Sequence, residues 1–210
     1  MVEGAEKVSG LKSTEKDLKY LAADAKRHGA TYARIISAKD IVVDRRVRLK
    51  CAIPICSSYG RHLMCPPNLM SVDEFKAILS SYEKALIVQI EADYNSSDRS
   101  KNKSLSKELE DEIVEPNELM KELHGLVNHV EALAFKRGLY FATGLIGGEC
   151  MLCPECVSPR SGKSCRHPFE ARPSMEAMGI DVLRTCENAG LKVSLSSREP
   201  VRWTGLILLD

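Results

Sequence analysis

The cysteines are the residues in this sequence best suited to chemistry. Between Gly147 and Pro168 the chain reads GGECMLCPECVSPRSGKSCRHP, and Cys150, Cys153, Cys156 and Cys165 form a C-x2-C-x2-C-x8-C series behind a double glycine. Three cysteines at two-residue spacing cannot share one face of a helix or strand, so they suit a loop curled around something. Gly147 and Gly148 carry no Cβ and let the backbone draw in close. Thiolates are soft, strongly donating ligands, and the loop therefore points to a metal centre. A triple at this spacing is commoner around iron–sulfur clusters than around zinc, where paired C-x2-C knuckles are the rule.

A second group, Cys51, Cys56 and Cys65, lies in CAIPICSSYGRHLMCPPN with the spacing C-x4-C-x8-C-P-P. Pro54 excludes a regular helix here, and Tyr59-Gly60 marks a turn. Pro66 and Pro67 fix the exit of the chain after the third thiol. Three ligands on a stiff loop make a partial site whose fourth ligand is missing locally. The two groups share an x8 gap, Cys56 to Cys65 and Cys156 to Cys165, each with Ser two residues after the first Cys. Either two similar loops face one another or the echo is chance.

The four thiolates of the later group can ligate one [4Fe–4S] cube completely, although in two-cluster ferredoxins the fourth cysteine of such a run serves the other cluster. Cys165 would then complete the earlier group. The eighth cysteine, Cys186, falls mid-helix in VLRTCENAG, where a small buried apolar role fits equally well. Three schemes are open: two full clusters using Cys186, one full and one three-thiolate cluster, or one cluster plus zinc. His62 and His167 are expected to stand in solvent or donate hydrogen bonds to cluster sulfur rather than ligate. His124 and His129, five apart, are off-register for a shared helical face. Glu170, Arg172, Glu176 and Asp181 form a polar run that either lines a pocket or supplies helix caps and surface pairs. Dinucleotide-binding, P-loop, zinc-protease and nucleophile-elbow motifs are absent.

Composition sets the limits. With 44% hydrophobic and 28% charged residues, the chain is ordinary for a globular protein, and a net charge of +1 gives no reason to expect nucleic acid or anionic membrane as a partner. No apolar run approaches a membrane span, and MVEGAEKVSGLKSTEK has no apolar core of the kind a secretory signal needs. The expected location is the cytoplasm, where thiols stay reduced and metal ligation outranks disulfides.

The elements that must position these loops read as follows. Helices are expected over Ser13–Arg27, from Ser71 (with Glu74 completing a capping box), over Leu119–Arg137, as a short helix starting at Pro173-Ser174, and over Asp181–Ala189. Strands are expected over Ala30–Ala38, Ile41–Val47, Ala85–Glu91, Leu139–Ile146, Leu191–Ser194 and Val201–Leu209. The strand ending at Ile146 runs into the double glycine and would fix the base of the loop. The alternation predicts an α/β class: a mixed sheet flanked by helices, with cysteine-rich metal-binding loops. Residues 1–210 read as a single domain, with a polar, mobile insertion near 94–118.

With both cysteine groups assembled, the chain resembles the DUF2284 family of predicted metal-binding, cysteine-rich proteins common in anaerobic archaea and bacteria. CAIPICSSYGRHLMCPPN, GGECMLCPECVSPRSGKSCRHP and ARPSMEAMGIDV carry the likeness. The resemblance implies metal ligation by Cys51, Cys56, Cys65, Cys150, Cys153, Cys156 and Cys165, and implies that Arg172, Ser174, Glu176 and Asp181 matter beyond capping. Cys186 is not part of that motif, and the family brings no established reaction. The expected function is electron transfer by one or two [4Fe–4S] clusters within an anaerobic redox system, beside a redox partner protein. The alternatives are an iron–sulfur enzyme with an open iron at Cys51, Cys56 and Cys65, or a structural zinc interaction module.

Overall fold

The computed structural model describes residues 13–92, 114–193 and 199–210. Two nine-residue strands form its centre, β2 (Lys84–Ala92) beside β4 (Val201–Leu209), with β1 (Tyr32–Ser37) and the short β3 (Thr143–Leu145) at the edges in the order β1-β2-β4-β3. The α/β class holds, with helices on both faces of the sheet. All three ladders are antiparallel; the expected mixed character reduces to one isolated parallel bridge, Ile146 to Ser174.

Alternate residues of the central strands feed two cores, as the period-two geometry of a strand requires. Leu86, Val88, Ile207 and Leu209 pack beneath α1 (Glu15–Arg27) and α4 (Val114–Lys136), through Leu21, Leu123, Val127 and Val130. Ala85, Ile87, Leu206 and Leu208 face the other way, towards α3 (Val72–Leu79) and the turn around Met175, Met178 and Ile180. Both faces of β2 and β4 are thus buried, which explains their nearly continuous apolar sequences.

The capped helices start where the sequence says. Thr14 and Asp17 form a capping box for α1, and Ser71 and Glu74 form one for α3. Asp181 caps α5 (Val182–Asn188). Four expectations change. Ile41–Val47 is not a strand: Val43 makes one bridge to Ile180, and α2 (Arg45–Ala52) then begins because the Asp44 carboxylate accepts from the Arg46 amide. Leu139–Ile146 is strand only over Thr143–Leu145, since Leu139 to Ala142 closes a turn instead. Pro173-Ser174 starts no helix; the Ile146 amide donates to Pro173 O, and a single 3-10 turn follows at Glu176–Met178. Leu191–Val193 carries no strand, and Ser194 lies outside the described residues, as does most of the polar insertion expected near 94–118.

Candidate metal centre

Cys51 sits in the last turn of α2, which the chain leaves at Ile53 before Pro54. The Cys56 amide donates back to Cys51 O at 3.0 Å, and the Tyr59 amide to Cys56 O at 3.0 Å. Gly60 N–H reaches Pro66 O at 2.7 Å, closing the segment from Cys56 to Cys65 into a loop. The Asn68 amide group then donates to His62 O. Cys51, Cys56 and Cys65 line one cavity of about 400 Å³, shared with Glu149, Ser174 and Glu176.

The later group hangs from the end of β3. A Cβ on Gly147 would lie 2.8 Å from Thr204 O, and Gly148 takes a φ of +73°, so both positions need glycine for the chain to turn here. Cys150, Cys153, Cys156 and Cys165, all half-buried, line one small pocket together with His62 and Met64 from the other loop. The His167 amide donates to Cys165 Sγ at 3.3 Å, and Arg166 Nη1 donates to Glu155 O. Helix α4 grips the outgoing chain. His124 Nε2 and Asn128 Nδ2 meet Glu170 O at 2.8 and 3.0 Å, and Glu131 takes both Nε and Nη2 of Arg172 at 2.7 Å.

The seven expected ligands therefore gather as two adjoining sets, and the two loops do face one another. Cys186 joins neither. It is fully buried in α5 against the sheet, where Gln89 Nε2 donates to its sulfur at 3.8 Å, so the two-full-clusters scheme that used it is corrected. Burial pushes its thiol up to about 11.

Electrostatics suit a cation. Burial pushes Cys65 up to about 12, reinforced by Glu149, Cys56, Cys51 and Cys150. Burial also raises Cys150, with Cys165, Cys156 and Cys153 adding to it, and raises Cys51, with Cys56 and Glu176 adding to it. Arg48 offsets this only in part, and only at Cys51, so thiolates at these positions call for more positive charge, which a coordinated metal would supply. Two residues that line these cavities carry a buried polar atom without a hydrogen-bond partner, Glu176 (Oε2) at the first and His62 (Nδ1) at the second. The donor set and these orphaned atoms fit a metal group at each place.

The chain belongs to the DUF2284 family. The family model, described as a predicted metal-binding protein, matches residues 34–209, which takes in both cysteine groups and all of the sheet except the first two residues of β1. No curated protein and no solved structure matches the chain. For this DUF2284 protein, metal binding is the property that the family model supports. Among the described residues no helix is long and apolar enough to cross a membrane.

Sequence reasoning resolved the polar run only in part. Arg172 pairs with Glu131 and Asp181 caps α5, so these two are structural, while Ser174, whose Oγ accepts from the Ala177 amide, and Glu176 line the cavity. It also passed over a histidine cluster. Asp24, His28 and His129 bring three ligating atoms within 4.8 Å of one another, joining α1 to α4 across 105 residues of sequence. The His28 and His129 rings stack with their centroids 3.8 Å apart. Both rings bond to the Asp24 carboxylate, at 3.1 and 2.7 Å. Burial alone would raise Asp24, but His129 and Arg27 outweigh it and hold the carboxyl below its usual range. The cluster is a clasp between helices.

Proposed function

We propose that this chain is a cytoplasmic iron–sulfur protein that passes electrons between two adjoining cysteine-held clusters and a partner protein in an anaerobic redox system. The observation that carries the reading is the adjacency of the two cysteine sets, with His62 and Met64 of one loop forming a wall of the other site. Such clusters supply one-electron transfer with little rearrangement of their surroundings. Cys150, Cys153, Cys156 and Cys165 would hold the closed site, and Cys51, Cys56 and Cys65 the open one. His62, which lines the later site, and the Gly147–Gly148 turn would shield the clusters from water. Ile53 and Ile55, 70% and 71% exposed between Cys51 and Cys56, offer the apolar contact a redox partner would cover.

The C-x2-C-x2-C spacing of Cys150, Cys153 and Cys156 favours clusters over single zinc ions, whose cysteine ligands usually come as paired C-x2-C knuckles. The cavity of about 400 Å³ over Cys51, Cys56 and Cys65 favours a second reading, in which that site also handles a small molecule. Anaerobic purification with iron, sulfide and zinc analysis and a visible spectrum tests the proposal. Brown protein with iron and sulfide supports it; colourless protein with stoichiometric zinc and no sulfide overturns it.

A further inference from the structure

We infer that Glu176 is the fourth ligand of the Cys51, Cys56 and Cys65 centre, an oxygen donor in a site otherwise built of sulfur. The inference rests on that cysteine group being a metal site. Three thiolates leave one coordination position to fill, and no eighth cysteine reaches it, because Cys186 is committed to Gln89 on the sheet. Glu176 lines the cavity with all three cysteines, and its Oε2 is closed off from solvent with no hydrogen-bond partner. Leaving a buried carboxylate oxygen unpaired is costly unless something outside the protein pairs with it.

The backbone fixes this carboxylate relative to Cys51. Glu176 opens the 3-10 turn that Gly179 ends at a φ of +85°. Gly179 O accepts from the Asp44 amide at 2.8 Å, and the Asp181 amide donates to Val42 O at 2.8 Å. Asp44 is the cap of α2, whose last turn carries Cys51. The turn holding Glu176 and the helix holding Cys51 are thus stitched together at their roots. Glu149 borders the same cavity, but no atom of it is both buried and unpaired, and it serves as the control.

A carboxylate holds iron less firmly than a thiolate, so this position is the one at which a small ligand displaces protein. The test compares wild type, Glu176→Cys, Glu176→Gln and Glu149→Gln, each loaded anaerobically with Mössbauer-active iron and sulfide. Wild type and Glu149→Gln should show an iron subsite distinct from the all-thiolate envelope. Glu176→Cys should lose that subsite with total iron unchanged, and Glu176→Gln should bind added cyanide, read by EPR, at least tenfold more tightly than wild type. Persistence of the subsite in Glu176→Cys, or its absence from wild type, overturns the assignment. If the protein holds zinc, the iron–sulfur reading falls while the ligand assignment is still read. The mean sulfur count at the zinc X-ray absorption edge should then rise in Glu176→Cys, and an unchanged count overturns it.

Discussion

Replacing Arg172 by alanine tests how the loop carrying Cys150 to Cys165 is anchored. Its guanidinium makes two 2.7 Å bonds to Glu131 and donates to Ala171 O and Phe169 O at 2.9 and 3.0 Å. Breaking a fully buried ion pair costs about 3–5 kcal/mol, because the remaining charge stays buried and unpaired. The Arg172 and Glu131 side chains are 15% and 19% exposed, and Glu131 keeps the Gly144 amide at 2.7 Å, so some solvation and one bond survive. The expected loss is therefore about 2–3 kcal/mol. For a chain of 210 residues that corresponds to a fall in Tm of roughly 5–10 °C. Denaturant melts of wild type, Arg172→Ala, Glu131→Gln and the double variant read it, and the double variant should lose much less than the sum. Metal should also leave the later cysteine group before the earlier one. A change within about 0.5 kcal/mol for Arg172→Ala, or strict additivity, would refute the anchoring role.

Three other outcomes follow from the geometry. Gly147→Ala drives a Cβ against Thr204 O and should cost about 1–3 kcal/mol with loss of metal from the later group, measured by melting and metal content. Cys186→Ser should leave metal content unchanged, whereas Cys153→Ser should lower it; equal losses would return Cys186 to the ligand set. Burial lowers the His124 pKa from its ordinary value, with Arg172 adding to the effect against the hydrogen bond to Glu170 O. The unfolded chain then binds more protons near pH 6, so stability rises with pH through that window and falls as pH drops below about 6.5. His124→Gln should flatten this slope in denaturant melts; an unchanged slope would assign it to another group.

What the sequence revealed depended on how local the signal was. Ser71 and Glu74, three residues apart, announce α3, and the apolar runs of β2 and β4 announce strands buried on both faces. The cysteine spacing marked both halves of the metal centre. Helix α2 escaped because it buries no residue of its own, so RRVRLKCA shows no apolar stripe and only the Asp44 cap betrays it. Glu131 and Arg172 are 41 residues apart, and nothing near either predicts the other. Glu176 was visible as one acid among several in a polar run. Its separation from Asp181 and Arg172 shows only in the tertiary structure, where Glu176 lines the cysteine cavity while Asp181 caps α5 and Arg172 pairs with Glu131.

The loop from Cys56 to Cys65 ends in thiols of one site while its middle, His62 to Met64, roofs the other. Filling the first site should therefore fasten the roof of the second, so that each metal group would raise the affinity for its neighbour. The two should load cooperatively, and oxidative loss of either should expose the survivor to solvent. Titrated with iron and sulfide, the protein should pass from empty to doubly filled with few singly filled molecules between.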